Sequence, residues 1–283
     1  MSRSSLFAAG LAPLLLLASA PTPAAESYDN CAGFIDSIPT TISSQGVWCM
    51  RADASAALAS GSAISVSVNN VTIDCNGYKL GNLGAGPGNA ATGIVALNRL
   101  NVTVRDCNLR GYYLAVLLVG GGHLVEDTRA EANGYAGLQV AGDGSTVRRN
   151  FVFDTGTGVH DPAAAIMTSA QVDVLDNPIS GVVATNDGSG VMGIRSNPGI
   201  GGRIEGNAIS GLVTVGGTPY GIFIDNSGGG LSVARNRITN GGTVAGSGVQ
   251  CAGLPKSMLV DNHMLGFTDG WVGCEDVGLN FAQ

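Results

Sequence analysis

The strongest constraint on the fold is a motif the chain keeps rewriting. "LDNPISG" at 175–181, "EGNAISG" at 205–211 and "ARNRITN" at 234–240 share an Asn, one variable residue, Ile, and then Ser or Thr. "TVRRNFV" and "LVDNHML" extend the series, so that Asn150, Asn177, Asn207, Asn236 and Asn262 recur every 26 to 30 residues. Earlier units are shorter and place Cys107 ("VRDCNLRG") and Thr128 ("VEDTRAE") in the Asn slot. A self-similar period of this length is the signature of a stacked, repeating architecture.

Each unit also carries an upstream segment: "GIVAL" at 93, "GLQVA" at 137, "GIRSN" at 193, "GIFID" at 221 and "GVQCA" at 248. These are short alternating stretches separated by Gly, Asn and Asp, so they read as strands joined by turns. Residues three before the Asn (Val147, Val174, Ile204, Val233, Leu259) and two after it (Val152, Ile179, Ile209, Ile238, Met264) are apolar throughout. Two such rows predict two inward-facing stacks in a parallel β-solenoid. The Asn belongs to the bend between them, where it tolerates left-handed backbone and its amide can bond the turn and its own copies.

Composition agrees. Gly makes up 44 of 283 residues and charged residues only 12%, which suits an all-β chain with many turns. The net charge of −7 argues against a nucleic-acid partner, whose phosphates need a basic surface. Residues 1–25, with Arg3, an apolar run from Leu6 to Leu17 and small residues up to Ala25, have the layout of a secretory signal peptide. That run is too short to span a bilayer. The expected organisation is therefore signal peptide 1–25, N-terminal cap 26–63 and solenoid 64–283, in a secreted or periplasmic monomer.

Six cysteines in an exported chain favour disulfides. Their positions suggest Cys31 with Cys49, Cys75 with Cys107, and Cys251 with Cys274. Cys75 and Cys107 occupy nearly the same point of consecutive coils, which fits a bond or a buried thiol pair. Trp48 and Trp271 lie near the two ends, where they can cap the core.

"VNNVTIDCNGYKLGN" at 68–82, preceded by "SSQGVWCMRADASAALASGSAISV", resembles the opening coils of secreted right-handed parallel β-helix proteins of the pectin-lyase-like superfamily. The resemblance runs from about Ile42 onward and implies eight to ten coils behind a disulfide-linked cap. It also implies a link to extracellular polysaccharides, with lyase, hydrolase or epimerase action on polyuronates as the usual chemistry. The motif sets of the hydrolases and pectate lyases do not occur here. "GVHDP" at 158–162 is similar to the Asp-Pro-His segment of alginate epimerases but in a different order. No calcium-binding nonapeptide occurs, so a calcium cofactor has no motif behind it.

Geometry gives a second route to a site. From Asn150 onward the connections lengthen ("DTGTGVHDPAA", "SGVVATNDGSGVMG", "SGLVTVGGTPYG", "TNGGTVAGSG"), and stacked coils set such loops side by side along one sheet. The outward positions beside them are Gln139, Met167, Arg195, Phe223 and Gln250, followed by Asn197 and Asp225. A uronate lyase needs a base for the proton beside the carboxylate and a cation for the enolate. His160 is the candidate base, Arg195 the cation and Asp161 a nearby carboxylate. Tyr220, Phe223 and Asp225 are the candidate substrate contacts. Arg237 and His263, on another outward row, read as surface residues. Against catalysis stand the missing motifs and an aromatic content of 5%, thin for sugar stacking. The competing reading is a non-catalytic surface or adhesion module.

Overall fold

A computed structural model describes residues 28–156, 162–185, 188, 190–197, 201–225 and 230–283. The chain winds through three parallel sheets in turn, the second and third of which merge where Arg237–Cys251 and His263–Val272 each run through both. The first sheet has eleven strands, from Cys31–Ile35 through Ser145–Arg148 to Glu275–Gly278. The second carries the residues after the Asn, from Ala54–Ser55 through Phe151–Thr155 to Phe281–Ala282. The third holds the upstream segments, among them Leu114–Gly121, Ala136–Ala141, Ala163–Ser169, Val191–Asn197 and Pro219–Ile224. Every pairing joins one coil to the next in parallel, which is the β-solenoid that the repeat requires. Among the described residues the second and third sheets each stack ten strands, the upper end of the eight to ten coils expected, and the first sheet adds an eleventh. The segment expected as a cap already pairs this way: Trp48 lies opposite Ile73 in the next coil, and Thr40–Ile42 pairs with Ser60–Val66.

Both predicted rows are interior. Val147, Val174, Ile204, Val233 and Leu259 are fully buried in the first sheet, and Val152, Ile179, Ile209, Ile238 and Met264 are at most 2% exposed in the second. Their side chains stack about 4.8 Å apart and exclude water along the whole axis. Where the third sheet closes on the second there is space for only a hydrogen. A Cβ on Gly193 would stand 2.5 Å from Ile209 Cγ2 and 2.6 Å from the Gly221 carbonyl. This close approach is why the upstream segments open with Gly.

The bend differs from expectation in one respect. The left-handed residue is the one before the Asn slot: Arg149, Asp176, Arg235 and Asp261, and Asp127 ahead of Thr128, have φ between 49° and 55°. At Gly206 the same position is a glycine with φ 69°. The bend thus turns one residue early, and the Asn side chain points inward beneath it. Asn150, Asn177, Asn207, Asn236 and Asn262 are at most 1% exposed. Each Oδ1 accepts the backbone N–H of the preceding coil's rung at 3.0 Å, as in Asn177 to Asn207 and Asn207 to Asn236. Each Nδ2 donates onward to the next Oδ1 at 2.9–3.1 Å. It also donates back to a first-sheet carbonyl, such as Val174 O from Asn207. The ladder continues at both ends beyond the repeat: Thr128 N–H donates to Asn150, and Asn262 donates to Asn280.

Three disulfides join neighbouring coils: Cys31–Cys49, Cys75–Cys107 and Cys251–Cys274. Trp48 and Trp271 pack, half-buried, against the core. Among the described residues no helix is long and apolar enough to cross a membrane, a statement that leaves strands aside.

Candidate functional site

Outward positions on the third sheet fall in one column because side chains two apart share a face. Strand register sets Gln139 beside Met167, Met167 beside Arg195, Arg195 beside Phe223, and Phe223 beside Gln250. The Arg195 guanidinium donates through Nη2 to Asp225 Oδ2 at 2.9 Å, one coil away, and both side chains are about one-third exposed. Asp225 thereby holds the guanidinium against the sheet, while the rest of its planar fork of donors can meet a carboxylate. Tyr220 and Phe223 lie with ring centroids 5.0 Å apart at 56°. Arg195, Met167, Gln139 and Asn197 line a shallow depression of about 170 Å³. Four of the six expected site residues are therefore together: Arg195, Tyr220, Phe223 and Asp225. The other two, His160 and Asp161, lie outside the described residues.

No metal centre is built among the described residues, where no group of three or more His, Cys, Asp or Glu could hold an ion. The site as described contains a cation, a carboxylate, two rings and amide side chains. It can hold an anionic chain by charge-assisted hydrogen bonds and ring contact.

The sequence reading passed over a second concave face. On the second sheet, the positions one and three after the Asn slot point outward. Lys79, Asn108, Arg129 and Phe151 occupy successive coils in one column, and Arg110, Glu131 and Phe153 in the neighbouring one. Around Lys79, Arg110 and Arg129 is a groove of about 310 Å³. Arg129 also borders a broader hollow of about 490 Å³ floored by Phe151 and Phe153. The usable signal was the alternation itself: residues flanking the inward apolar position must face out, and here they are Arg, Lys and Phe. The expectation that Arg237 and His263 are surface residues concerns the same column, further along; His263 is exposed and lies 6.0 Å from the Phe281 ring.

The first sheet's outer face is different. Its cations are matched to carboxylates one coil away, with Arg105 to Asp74 at 2.8 Å, Arg148 to Glu126 at 2.7 Å and Arg203 to Asp173 at 2.7 Å. Arg235 pairs with Glu205. Arg149 forms a two-point bridge to Asp127, which holds that carboxyl below the usual carboxylate range. Such a face neutralises itself.

No curated protein sequence matches the chain. Among solved structures, the Azotobacter vinelandii mannuronan C-5 epimerase AlgE6 A-module is similar over 84% of this chain and 83% of that chain. The identity is 12% and the TM-score 0.39, too loose to bear on what this chain does. The family model described as "Right handed beta helix region" matches residues 92–263, more than half of the chain. With the parallel three-sheet winding above, that match makes the chain a member of the right-handed β-helix family.

Proposed function

We propose that the protein is a secreted carbohydrate-associated β-helix that binds an acidic polysaccharide along the outer face of its third sheet. The observation that carries this reading is the Arg195–Asp225 pair at 2.9 Å, set beside Tyr220 and Phe223 on a column running along the coil axis. Asp225 orients the guanidinium, and the remaining fork suits a uronate carboxylate bidentately. The flanking rings offer apolar faces to the sugar. An outer column on a solenoid is straight and repeats at a constant step, so it suits an extended polymer better than a compact ligand. The lytic form of the reading adds His160 as base, with Asp161 beside it, and gives Arg195 a second task in steadying the enolate.

Two readouts on one panel test both forms. The mature chain is run with pectate, alginate and glycosaminoglycans, with and without calcium, following retention on immobilised polymer and unsaturated-uronate absorbance. Retention lost in Arg195→Ala supports binding. Absorbance that disappears in both His160→Ala and Arg195→Ala supports β-elimination. No retention by any polymer would refute the proposal and leave the adhesion or structural module as the better reading.

A further inference from the structure

We infer that the second sheet carries a separate anchoring subsite for a carboxylated glycan, built on Lys79, Arg110 and Arg129 with Phe151 and Phe153. The inference rests on the polysaccharide reading above and assigns to that ligand a face the reading does not use.

Charge is the first argument. In a chain of net charge −7, the groove around Lys79, Arg110 and Arg129 gathers three cations against two carboxylates, Asp53 and Glu131, while the adjoining ring-floored hollow adds Asp154. Lys79 pairs with Asp53 at 3.2 Å, whereas Arg110 and Arg129 share Glu131 at 3.1 and 3.8 Å. One carboxylate divided between two guanidiniums leaves donors unmatched in the groove; on the first sheet's face Arg148 and Arg149 also share Glu126, but Arg149 has Asp127 as a second partner. Asp53 is held below its ordinary range by the Lys79 backbone N–H and ammonium. It therefore remains a fixed anchor for Lys79.

The second argument is the juxtaposition of rings. Arg129 lies over Phe153, its Cζ 4.1 Å from the ring centroid, so the cation is oriented by the aromatic face. Phe151 is 52% exposed beside it. An aromatic ring left open next to a cation suits the C–H face of a pyranose while its carboxylate reaches the arginine.

The third is spacing. From Lys79 to Phe151 the column advances three coils, about 14 Å at the inter-strand step. That step is close to the length of one sugar unit in an extended chain. A glycan lying along the axis therefore presents roughly one carboxylate per coil. A polynucleotide brings far denser charge, which a groove with one net positive charge cannot balance.

The test is calorimetric titration of the full mature chain with a uronate tetrasaccharide, its carboxyl-reduced counterpart and a sulfated tetrasaccharide. Variants are Arg129→Ala, Phe151→Ser, Arg195→Ala and, as a control on the first sheet, Arg203→Ala. The wild type is expected to show two classes of site for the uronate and neither for the reduced sugar. Arg129→Ala and Phe151→Ser each weaken one class about tenfold, the loss of one charge-assisted or stacking contact. Arg195→Ala removes only the other class, and Arg203→Ala changes neither. Tighter binding of the sulfated sugar at the Arg129-sensitive class would overturn the carboxylate assignment. If the uronate binds one class, lost in Arg195→Ala and untouched by Arg129→Ala and Phe151→Ser, the subsite is refuted while the function stands. If no sugar binds at all, both fall. Equal weakening by Arg203→Ala would reduce the effect to bulk charge and refute the subsite.

Discussion

Replacing Asn207 by Ala tests whether the ladder holds coils together or merely tolerates the bend. Asn207 is fully buried. Its Nδ2 donates to Val174 O at 3.0 Å, Glu205 O at 3.1 Å and Asn236 Oδ1 at 2.9 Å. Its Oδ1 accepts from Asn177 N at 3.0 Å and Asn177 Nδ2 at 2.9 Å. Alanine leaves the Asn177 N–H and one hydrogen of the Asn177 amide without an acceptor in a space closed to water, and takes one of its two donors from Asn236 Oδ1. Two stranded buried groups at about 1–3 kcal/mol each give an expected loss of about 2–6 kcal/mol. Asn280 is the internal control. It accepts from Asn262 N and Nδ2 at 3.0 and 2.9 Å, but it is half-exposed, so water replaces the lost bonds. Asn280→Ala should cost only about 1 kcal/mol. Urea unfolding followed by circular dichroism measures both, with an unchanged slope as the condition for comparing midpoints. An Asn207→Ala loss no larger than that of Asn280→Ala would refute the ladder as a source of stability.

Other outcomes follow from single features. Removing the Cys75–Cys107 bond by double substitution to Ala opens a link of sequence separation 32 and should lower the unfolding free energy by about 3 kcal/mol in the same assay. Gly193→Ala forces a methyl against Ile209 and the Gly221 carbonyl and is expected to cost about 1–3 kcal/mol, seen as a lower melting temperature. His123 is 1% exposed, and its Nδ1 accepts from Val102 N–H at 3.3 Å. Burial holds its imidazole below the ordinary value of 6.5, so the unfolded chain takes up the proton first. Stability is therefore complete above about pH 6.5 and declines as the pH falls below it. His123→Val should flatten that decline in melts between pH 7 and pH 5; an unchanged slope would show that another group is responsible.

The interior was legible in the sequence because burial repeats. Val174, Ile204 and Val233 hold one register, and no surface demand competes for those positions. The bend was read one residue off. Asn is the conspicuous letter, but the left-handed site precedes it and is filled by Asp, Arg or Gly, which share no single residue type. Asn280 was missed because it follows Asn262 by only 18 residues and lacks the Ile two places on. On the outside, Arg195 and Asp225 could be placed on one column from the alternation, although their pairing depends on rotamers that no pattern encodes. The Arg129 groove escaped because it combines residues from separate coils in a shared concavity. Curvature of that kind exists only once the coils are stacked.

The ladder has a consequence for how such a molecule can change size over generations. Every interior amide accepts from the coil before it and donates to the coil after it, so one rung is chemically interchangeable with the next. A duplicated or deleted stretch of gene that respects the unit inserts or removes a rung whose neighbours already match it. The variation from 26 to 30 residues between rungs is absorbed in the connections, away from the amides. Length in this architecture is thus quantised and heritable: a lineage can extend its outer columns by one step, about 4.8 Å, and lengthen whatever they grip without redesigning the interior.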